Sequence, residues 1–248
     1  MTLIKQIYYR YKSAGIVRPT WSRWKKLVNT VRGLSSFVAH RPASLGLLLF
    51  NYYPYRTHIE GKKVLDHAIK QGAVFFSVHS GPYPLAGRVL QERYPRLNLI
   101  APFFYSKKLS IFPIFQAFFK RLGIQVVALG GAMQYIRPVM ESGGSACLFI
   151  DAHLPVKRKV AVPMFGKKIP ISTGPLWLAR TFHKPLVPIY VTHHKGCITA
   201  HVLSPIEYQH RTDEYVMKQI GKKLAFMIEE TLDEWQIADE FMFHQLLD

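Results

Sequence analysis

An apolar run that ends in a histidine and leads into a turn most constrains how this chain folds. The run Ala73-Val-Phe-Phe-Ser-Val-His79 is rich in β-branched and aromatic residues, and Ser80-Gly-Pro-Tyr-Pro84 follows it directly. This pattern predicts a buried strand that enters a turn and then a helix. His79 is therefore expected at the C-terminal edge of a sheet, where open α/β folds bind ligands. An imidazole there can act as a general base near neutral pH, and a structural, hydrogen-bonded histidine is the alternative.

Apolar runs and helical patterns alternate along the rest of the chain. Strands are predicted at 73–79, 98–104, 124–129, 145–151, 160–164, 186–193 and 197–203. Helices are predicted at 5–13, 20–37, 61–71, 83–94, 109–122, 131–142, 174–183 and 212–235. The alternation predicts an α/β fold with a single, mostly parallel or mixed central sheet flanked by helices. The chain has 248 residues, 49% of them hydrophobic, which suffices for one such domain, expected at 60–248.

Charge is distributed unevenly along the chain, whose formal net charge is +18. Residues 1–59 contain ten Lys or Arg and no Asp or Glu, whereas ten of the fifteen acidic residues lie within 207–248. Aromatic and aliphatic residues among the N-terminal cations predict a basic amphipathic helix at an anionic membrane surface. A helix packed on the domain is the alternative. The longest apolar stretch, 43–53, is shorter than the roughly 20 residues that span a bilayer and is expected to be a buried helix or strand.

The sequence predicts that the protein is located at a membrane surface that faces the cytosol. Lys5 and Arg10 interrupt the N-terminus before an apolar signal segment can form, so we expect the chain to stay in the cytosolic compartment. Cys147 and Cys197 lie in predicted apolar strands, where they are expected to pack as thiols rather than to form a disulfide. Together these observations predict a peripheral membrane protein.

Nucleic acid is another partner that a strongly basic chain suggests. The sequence contains no zinc-ligand spacing, no basic region followed by heptads and no aromatic RNA-binding signature, so we expect no specific nucleic-acid partner. The cations also alternate with aromatic residues in Phe103-Phe-Tyr-Ser-Lys-Lys108, which suits a cleft for a phosphorylated amphiphile. Histidines near the predicted C-terminal strands are not expected to bind a metal, because two are adjacent and would point to opposite faces of one strand. They are His193, His194, His201 and His210.

Four segments after His79 complete an ordered set of motifs. They are Leu148-Phe-Ile-Asp-Ala-His153, Val162-Pro-Met-Phe-Gly166, Ile171-Ser-Thr-Gly-Pro-Leu-Trp-Leu-Ala-Arg180 and Pro185-Leu-Val-Pro-Ile-Tyr190. In order and spacing this set resembles the late acyltransferases of lipid A biosynthesis, a branch of the glycerolipid and lysophospholipid acyltransferase superfamily. That family has a strand-ending His, an Asp-Gln strand end, a Val-Pro-Phe-Phe-Gly turn and a Thr-rich helix start. The likeness covers about 61–245, including Phe241-Met-Phe-His244, which resembles the family's closing aromatic-His-Arg.

The chain departs from this family at one catalytic position. The family pairs its histidine with a carboxylate five positions on, which fixes the imidazole tautomer and stabilises the imidazolium. The residue five positions after His79 is Pro84. Asp151, which also ends a predicted strand, could orient His79 instead. Alternatively His79 acts alone against a backbone carbonyl, or the protein is inactive and only binds lipid.

The missing acid suggests a donor that is more reactive than a fatty acyl thioester. An aminoacyl thioester is such a donor, because its protonated amine makes the carbonyl more electrophilic. The chain thus resembles the lipid A glycyltransferases, which implies glycyl transfer from a phosphopantetheine carrier-protein thioester to a lipid A hydroxyl, with no bound cofactor. The implied partners are an acidic carrier protein, lipid A or a related anionic lipid, and the cytoplasmic face of the inner membrane. A fatty acyltransferase acting on lipid A or a lysophospholipid is the second hypothesis.

The family resemblance and the pattern of strands and turns together predict an active site. His79 as general base and Asp151 as its orienting group are the predicted catalytic residues, and transfer is expected to be direct, because Ser80 lacks the Gly-x-Ser-x-Gly setting of a nucleophile. Ser172 and Thr173 are expected to cap a helix, with amides that could face a substrate anion. The cations of Lys157-Arg158-Lys159 and Lys167-Lys168 are expected in exposed loops as a basic rim. The predicted substrate-binding residues are Tyr83, Lys107, Arg121, His153, Gly166, Ser172 and Thr173.

Overall fold

A seven-stranded sheet forms the centre of the protein in the computed structural model, which describes residues 56–95, 97–103, 112–151, 156, 158–231 and 235. The strands are β1 (Arg56–Glu60), β2 (Val74–Ser77), β3 (Leu99–Phe103), β4 (Ile124–Ala128), β5 (Ser145–Phe149), β6 (Lys159–Met164), β7 (Lys167–Ser172), β8 (Leu186–His194) and β9 (Cys197–Val202). Their order in the central sheet is β1-β9-β8-β2-β5-β3-β4. Only the β8–β9 pairing in this sheet is antiparallel, because a tight turn joins these two strands. The predicted mostly parallel, mixed sheet is confirmed.

Helices cover both faces of the sheet. They are α1 (Lys62–Gln71), α2 (Ala86–Arg93), α3 (Phe112–Arg121), α4 (Met133–Glu141), α5 (Gly174–Phe182) and α6 (Asp213–Glu230). The central strand β2 is buried on both sides, and its alternate residues Phe75 and Phe76 belong to two separate hydrophobic clusters. The Phe75 cluster includes residues of α1, α2 and α3, and the Phe76 cluster includes residues of α4, α5 and α6. A near-continuous apolar run is what a parallel strand covered on both faces requires.

Two strands were not predicted from the sequence. β1 has no apolar run and alternates between exposed and half-buried residues. It is held by parallel pairing with β9 and by a contact of 2.8 Å between Glu60 Oε2 and His201 Nδ1. Because strand pairing joins residues far apart in sequence, the pattern of β1 alone gives no signal. β1 also spans the expected division between 59 and 60, so residues 56–59 belong to the sheet.

The second unpredicted strand, β7, forms a hairpin with β6. The expectation of exposed loops is wrong at Lys159, which begins β6, and at Lys167 and Lys168, which lie in β7. Strand β7 is fixed by burial of Ile169 and Ile171 on one face. Phe165 and Gly166 form the turn with φ of 52° and 80°, since a two-residue hairpin turn of this type needs left-handed backbone at both positions.

Several helix boundaries differ from the prediction. The predicted helix 83–94 begins as a short 3₁₀ turn, Tyr83–Leu85, before α2. The predicted helix 212–235 ends at Glu230, and Trp235 instead forms an antiparallel bridge with Ser80. The predicted helices 5–13 and 20–37 and the apolar stretch 43–53 lie outside the described residues. Among the residues that are described, none of the helices combines the length and apolar character needed to cross a membrane.

Candidate active site

His79 and Asp151 occupy equivalent positions after two neighbouring parallel strands. β2 ends at Ser77 and β5 ends at Phe149, and these two residues are partners in the ladder. His79 and Asp151 each follow two residues later, so the register carries both past the same edge of the sheet. The sheet topology therefore brings together two residues that are 72 positions apart in the sequence.

The His79 imidazole contacts the Asp151 carboxylate directly. His79 Nδ1 lies 2.7 Å from Asp151 Oδ1, and the His79 backbone N–H donates to Asp151 Oδ2 at 2.7 Å. The Asp151 side chain is 0% exposed, whereas the His79 side chain is 18% exposed. A carboxylate accepts hydrogen bonds, so Nδ1 carries the proton and the neutral ring keeps a lone pair on Nε2. Within the described part of the chain, no group bonds Nε2.

Trp235 supplies a third donor to the carboxylate. Its indole Nε1–H donates to Asp151 Oδ2 at 2.8 Å, and the side chain is buried. Asp151 thus accepts hydrogen bonds from two parts of the chain: His79 in the turn after β2 and Trp235 beyond the end of α6. Burial of a carboxylate is costly unless its oxygens are hydrogen-bonded, and these three donors meet that requirement.

Two aromatic rings pack against the imidazole. The Phe149 ring lies 4.6 Å from the His79 ring, centroid to centroid, and the Tyr83 ring meets it edge to face at 5.0 Å. Burial, together with the nearby charge of Asp151, raises the pKa of Tyr83 to about 12. The phenol therefore stays protonated at neutral pH. The two rings limit rotation of the imidazole.

Ser80 follows His79 but is not placed as a nucleophile. It is fully buried, and its hydroxyl donates to the backbone carbonyl of Thr231 at 3.2 Å. Its backbone also bridges to Trp235. The residue therefore joins the turn after β2 to the segment after α6, and its hydroxyl is committed to a structural hydrogen bond.

The other predicted substrate-binding residues are placed in different ways. Ser172 is the last residue of β7, and Thr173 follows it as the N-cap of α5. The next residue, Gly174, lies close to the C-terminal end of β5, because a Cβ built on it would be 3.2 Å from Leu148 Cδ2. Gly166 lies at the tip of the β6–β7 hairpin. Arg121 ends α3 and precedes β4, which puts it at the N-terminal edge of the parallel strands, opposite to His79. Lys107 and His153 lie outside the described residues, as does 241–244.

The prediction that Ser172 and Thr173 precede a helix and cap it is correct in location, but the hydrogen bonds differ from those of an ordinary cap. Thr173 is the N-cap of α5, but its side chain makes no capping hydrogen bond. Ser172 Oγ instead accepts from the Gly174 backbone N–H at 3.1 Å, and the Thr173 N–H donates to the Arg158 carbonyl at 3.2 Å. The Thr173 amide predicted to face a substrate anion is therefore already occupied within the protein.

Trp235 and Phe149 are the site residues that the sequence pattern did not identify. Trp235 was assigned to the end of a helix, and Phe149 to an apolar strand, and nothing local marks either as a partner of the histidine. Cys147 and Cys197 are both free, and burial raises the pKa of the Cys147 thiol to about 12. In the described ranges, no group of three His, Cys, Asp or Glu side chains is arranged to bind a metal.

One comparison with known proteins bears on this site. The profile of the family described as bacterial lipid A biosynthesis acyltransferase matches residues 51–247. No curated protein matches the chain. The matched range includes the whole central sheet, His79, Asp151 and Trp235, and it covers most of the 248 residues. The chain therefore belongs to the bacterial lipid A biosynthesis acyltransferase family and is an acyltransferase that acts on lipid A or a related lipid.

Proposed function

We propose that this acyltransferase moves a glycyl group from a carrier-protein thioester to a hydroxyl of lipid A, with His79 as general base and Asp151 as its orienting group. The single observation that carries the proposed roles of these two residues is the 2.7 Å contact between His79 Nδ1 and Asp151 Oδ1. It supplies the carboxylate partner that Pro84 does not supply at the family's usual position. The remaining exposed part of the imidazole then faces the substrates.

The proposed reaction is a direct transfer in a ternary complex. His79 Nε2 removes the proton from the acceptor hydroxyl as its oxygen attacks the thioester carbonyl carbon. The tetrahedral intermediate collapses with cleavage of the carbon–sulfur bond, and the carrier thiolate takes the proton from the imidazolium. The Asp151 carboxylate stabilises that imidazolium. Ser80 takes no part as a nucleophile, because its hydroxyl is buried on the Thr231 carbonyl.

A cation at the start of α5 supports an anionic substrate. Arg158 is exposed, and its carbonyl accepts from the N–H of Thr173, the N-cap of α5, whereas Lys168 is exposed near the turn of the β6–β7 hairpin. Lipid A carries phosphates and a carrier protein is acidic, so a basic rim favours encounter with both. Association of the protein with the cytoplasmic face of the inner membrane is part of the same proposal, and it rests on the basic composition of residues 1–59.

A fatty acyl donor is the second candidate, and the same contact favours it. Because His79 has a buried carboxylate partner, its basicity does not require a donor more reactive than an ordinary thioester. The glycyl donor is supported by Pro84, which leaves the chain without a carboxylate five positions after His79. The two candidates differ in the length of acyl group that the site must hold.

Mass spectrometry of lipid A separates the candidates. Purified protein is incubated with lipid A and with carrier protein loaded either with glycine or with a fatty acid. We expect a mass gain of one glycine residue with the glycyl carrier, and its loss in His79→Ala. The matched control is His194→Ala, since His194 is exposed at the end of β8. A gain only from the fatty acyl carrier would refute glycyl transfer, and full activity in His79→Ala would refute the general base.

A further inference from the structure

We infer that Trp235 is a positioning residue, which acts on the reaction through Asp151; this inference rests on the proposed role of His79 and Asp151. Trp235 is the one described residue beyond 231, and it is 4% exposed. Its Nε1–H lies 2.8 Å from Asp151 Oδ2. An indole nitrogen can donate a hydrogen bond but cannot accept one, so Trp235 is the donor and Asp151 Oδ2 is the acceptor.

The two oxygens of Asp151 have different surroundings. Oδ2 accepts from two donors, the His79 backbone N–H and the Trp235 indole, while the one described partner of Oδ1 is His79 Nδ1. Because Oδ2 is held from two sides, the carboxylate cannot rotate about its bond to Cβ without breaking one of these bonds. Oδ1 is thereby kept in the plane and at the distance that the imidazole needs. Trp235 thus directs the carboxylate that in turn contacts His79.

The segment that carries Trp235 is anchored to the same turn that carries His79. Ser80 bridges to the Trp235 backbone and donates through Oγ to the Thr231 carbonyl. Thr231 in turn donates through Oγ1 to the Met227 carbonyl in the last turn of α6. The end of α6 is therefore connected to both members of the His79–Asp151 pair. The catalytic geometry depends on a segment more than eighty residues after Asp151.

A packing role is the competing explanation, because Trp235 also belongs to the hydrophobic cluster on the α6 face of the sheet. Packing and hydrogen bonding are separated by Trp235→Phe, which keeps an aromatic ring and removes the donor. If the truncated ring impairs folding, replacing Trp235 by 3-benzothienylalanine removes only the N–H, since sulfur takes its place in a ring system of nearly the same volume. Trp177→Phe on α5 is the matched control, because Trp177 is 38% exposed.

The test is a double-mutant cycle on the full chain with the glycyl and fatty acyl carrier thioesters as alternative donors. We expect Trp235→Phe to lower kcat about 10- to 100-fold, the loss of one hydrogen bond to a charged group, with KM and unfolding temperature close to wild type. We expect no further loss when Trp235→Phe is added to Asp151→Asn. Trp177→Phe should retain wild-type kcat.

Two results would overturn the positioning role. One is wild-type kcat in a folded Trp235→Phe or benzothienylalanine variant. The other is the same fold-loss in both the wild-type and the Asp151→Asn backgrounds, because independent effects multiply. Failure of the proposed function gives a different pattern: His79→Ala would stay active, or only the fatty acyl donor would be used, whatever residue occupies position 235.

Discussion

Replacing Asp151 by Asn is the most demanding test of the site, because the structure predicts which ring nitrogen of His79 would carry the proton in the variant. Asp151 accepts two donors on Oδ2 and one on Oδ1. An asparagine has a single acceptor oxygen, and that oxygen belongs at the Oδ2 position, where two N–H groups converge. Its NH₂ group then faces His79 Nδ1 and donates to it. The imidazole is forced into the tautomer that carries its proton on Nε2, which cannot remove a proton from the acceptor hydroxyl.

The magnitude follows from the loss of the base. A positioned general base contributes about 10²- to 10⁴-fold to the rate, so we expect Asp151→Asn to lower kcat by about 10³-fold. KM should change little, since Asp151 is 0% exposed and cannot contact substrate. Initial rates of acyl transfer, followed by mass spectrometry of the lipid product, measure both constants. The unfolding temperature, measured alongside, shows that the variant is folded.

The opposite result would refute the tautomer argument. If folded Asp151→Asn transferred acyl groups at the wild-type rate, His79 would not depend on this carboxylate. A large rise in KM with unchanged kcat would also contradict it, since that pattern reports lost substrate binding rather than lost base catalysis.

Two further predictions concern stability. Burial and the charge of Asp151 raise the pKa of Tyr83 from 10 to about 12, so stability from the neutral phenol is complete below pH 10 and falls between pH 10 and 12. The free energy of unfolding in urea should therefore be lower at pH 11 than at pH 9, and this difference should be smaller in Tyr83→Phe. An equal difference in both proteins would show that Tyr83 is not its source. Gly72→Ala should destabilise more than Gly143→Ala. Both residues have positive φ, 75° and 84°, but only at position 72 would the new Cβ meet backbone, 2.3 Å from the Gly144 carbonyl oxygen. In urea unfolding, we expect the free energy of unfolding to fall by about 1 kcal/mol in Gly143→Ala and by several kcal/mol in Gly72→Ala. Equal losses in the two variants would show that the structure relieves the clash at position 72.

Local sequence patterns were sufficient where one segment fixes its own structure. The apolar run before His79 identified a buried central strand, because a strand covered on both faces must be apolar at successive positions. The alternation of strands and helices identified the α/β class, which the sheet topology confirms. The same pattern put His79 and Asp151 at strand ends, and parallel strands bring such ends to one edge. These inferences need only the chemistry of neighbouring residues.

Tertiary structure decided the features that depend on distant partners. β1 exists because β9 pairs with it, and its own exposed, charged sequence carries no strand signal. Arg121 lies at the edge opposite to His79 because α3 returns the chain to the start of β4. Trp235 reaches Asp151 because α6 ends beside the turn after β2, where Ser80 contacts both Thr231 and Trp235. Sequence by itself determined which residues could form a buried parallel sheet with a histidine at its edge and named Asp151 as its candidate partner. The fold decided that the Asp151 carboxylate contacts His79 and that the Trp235 indole joins them, since these contacts link residues 72 and more positions apart.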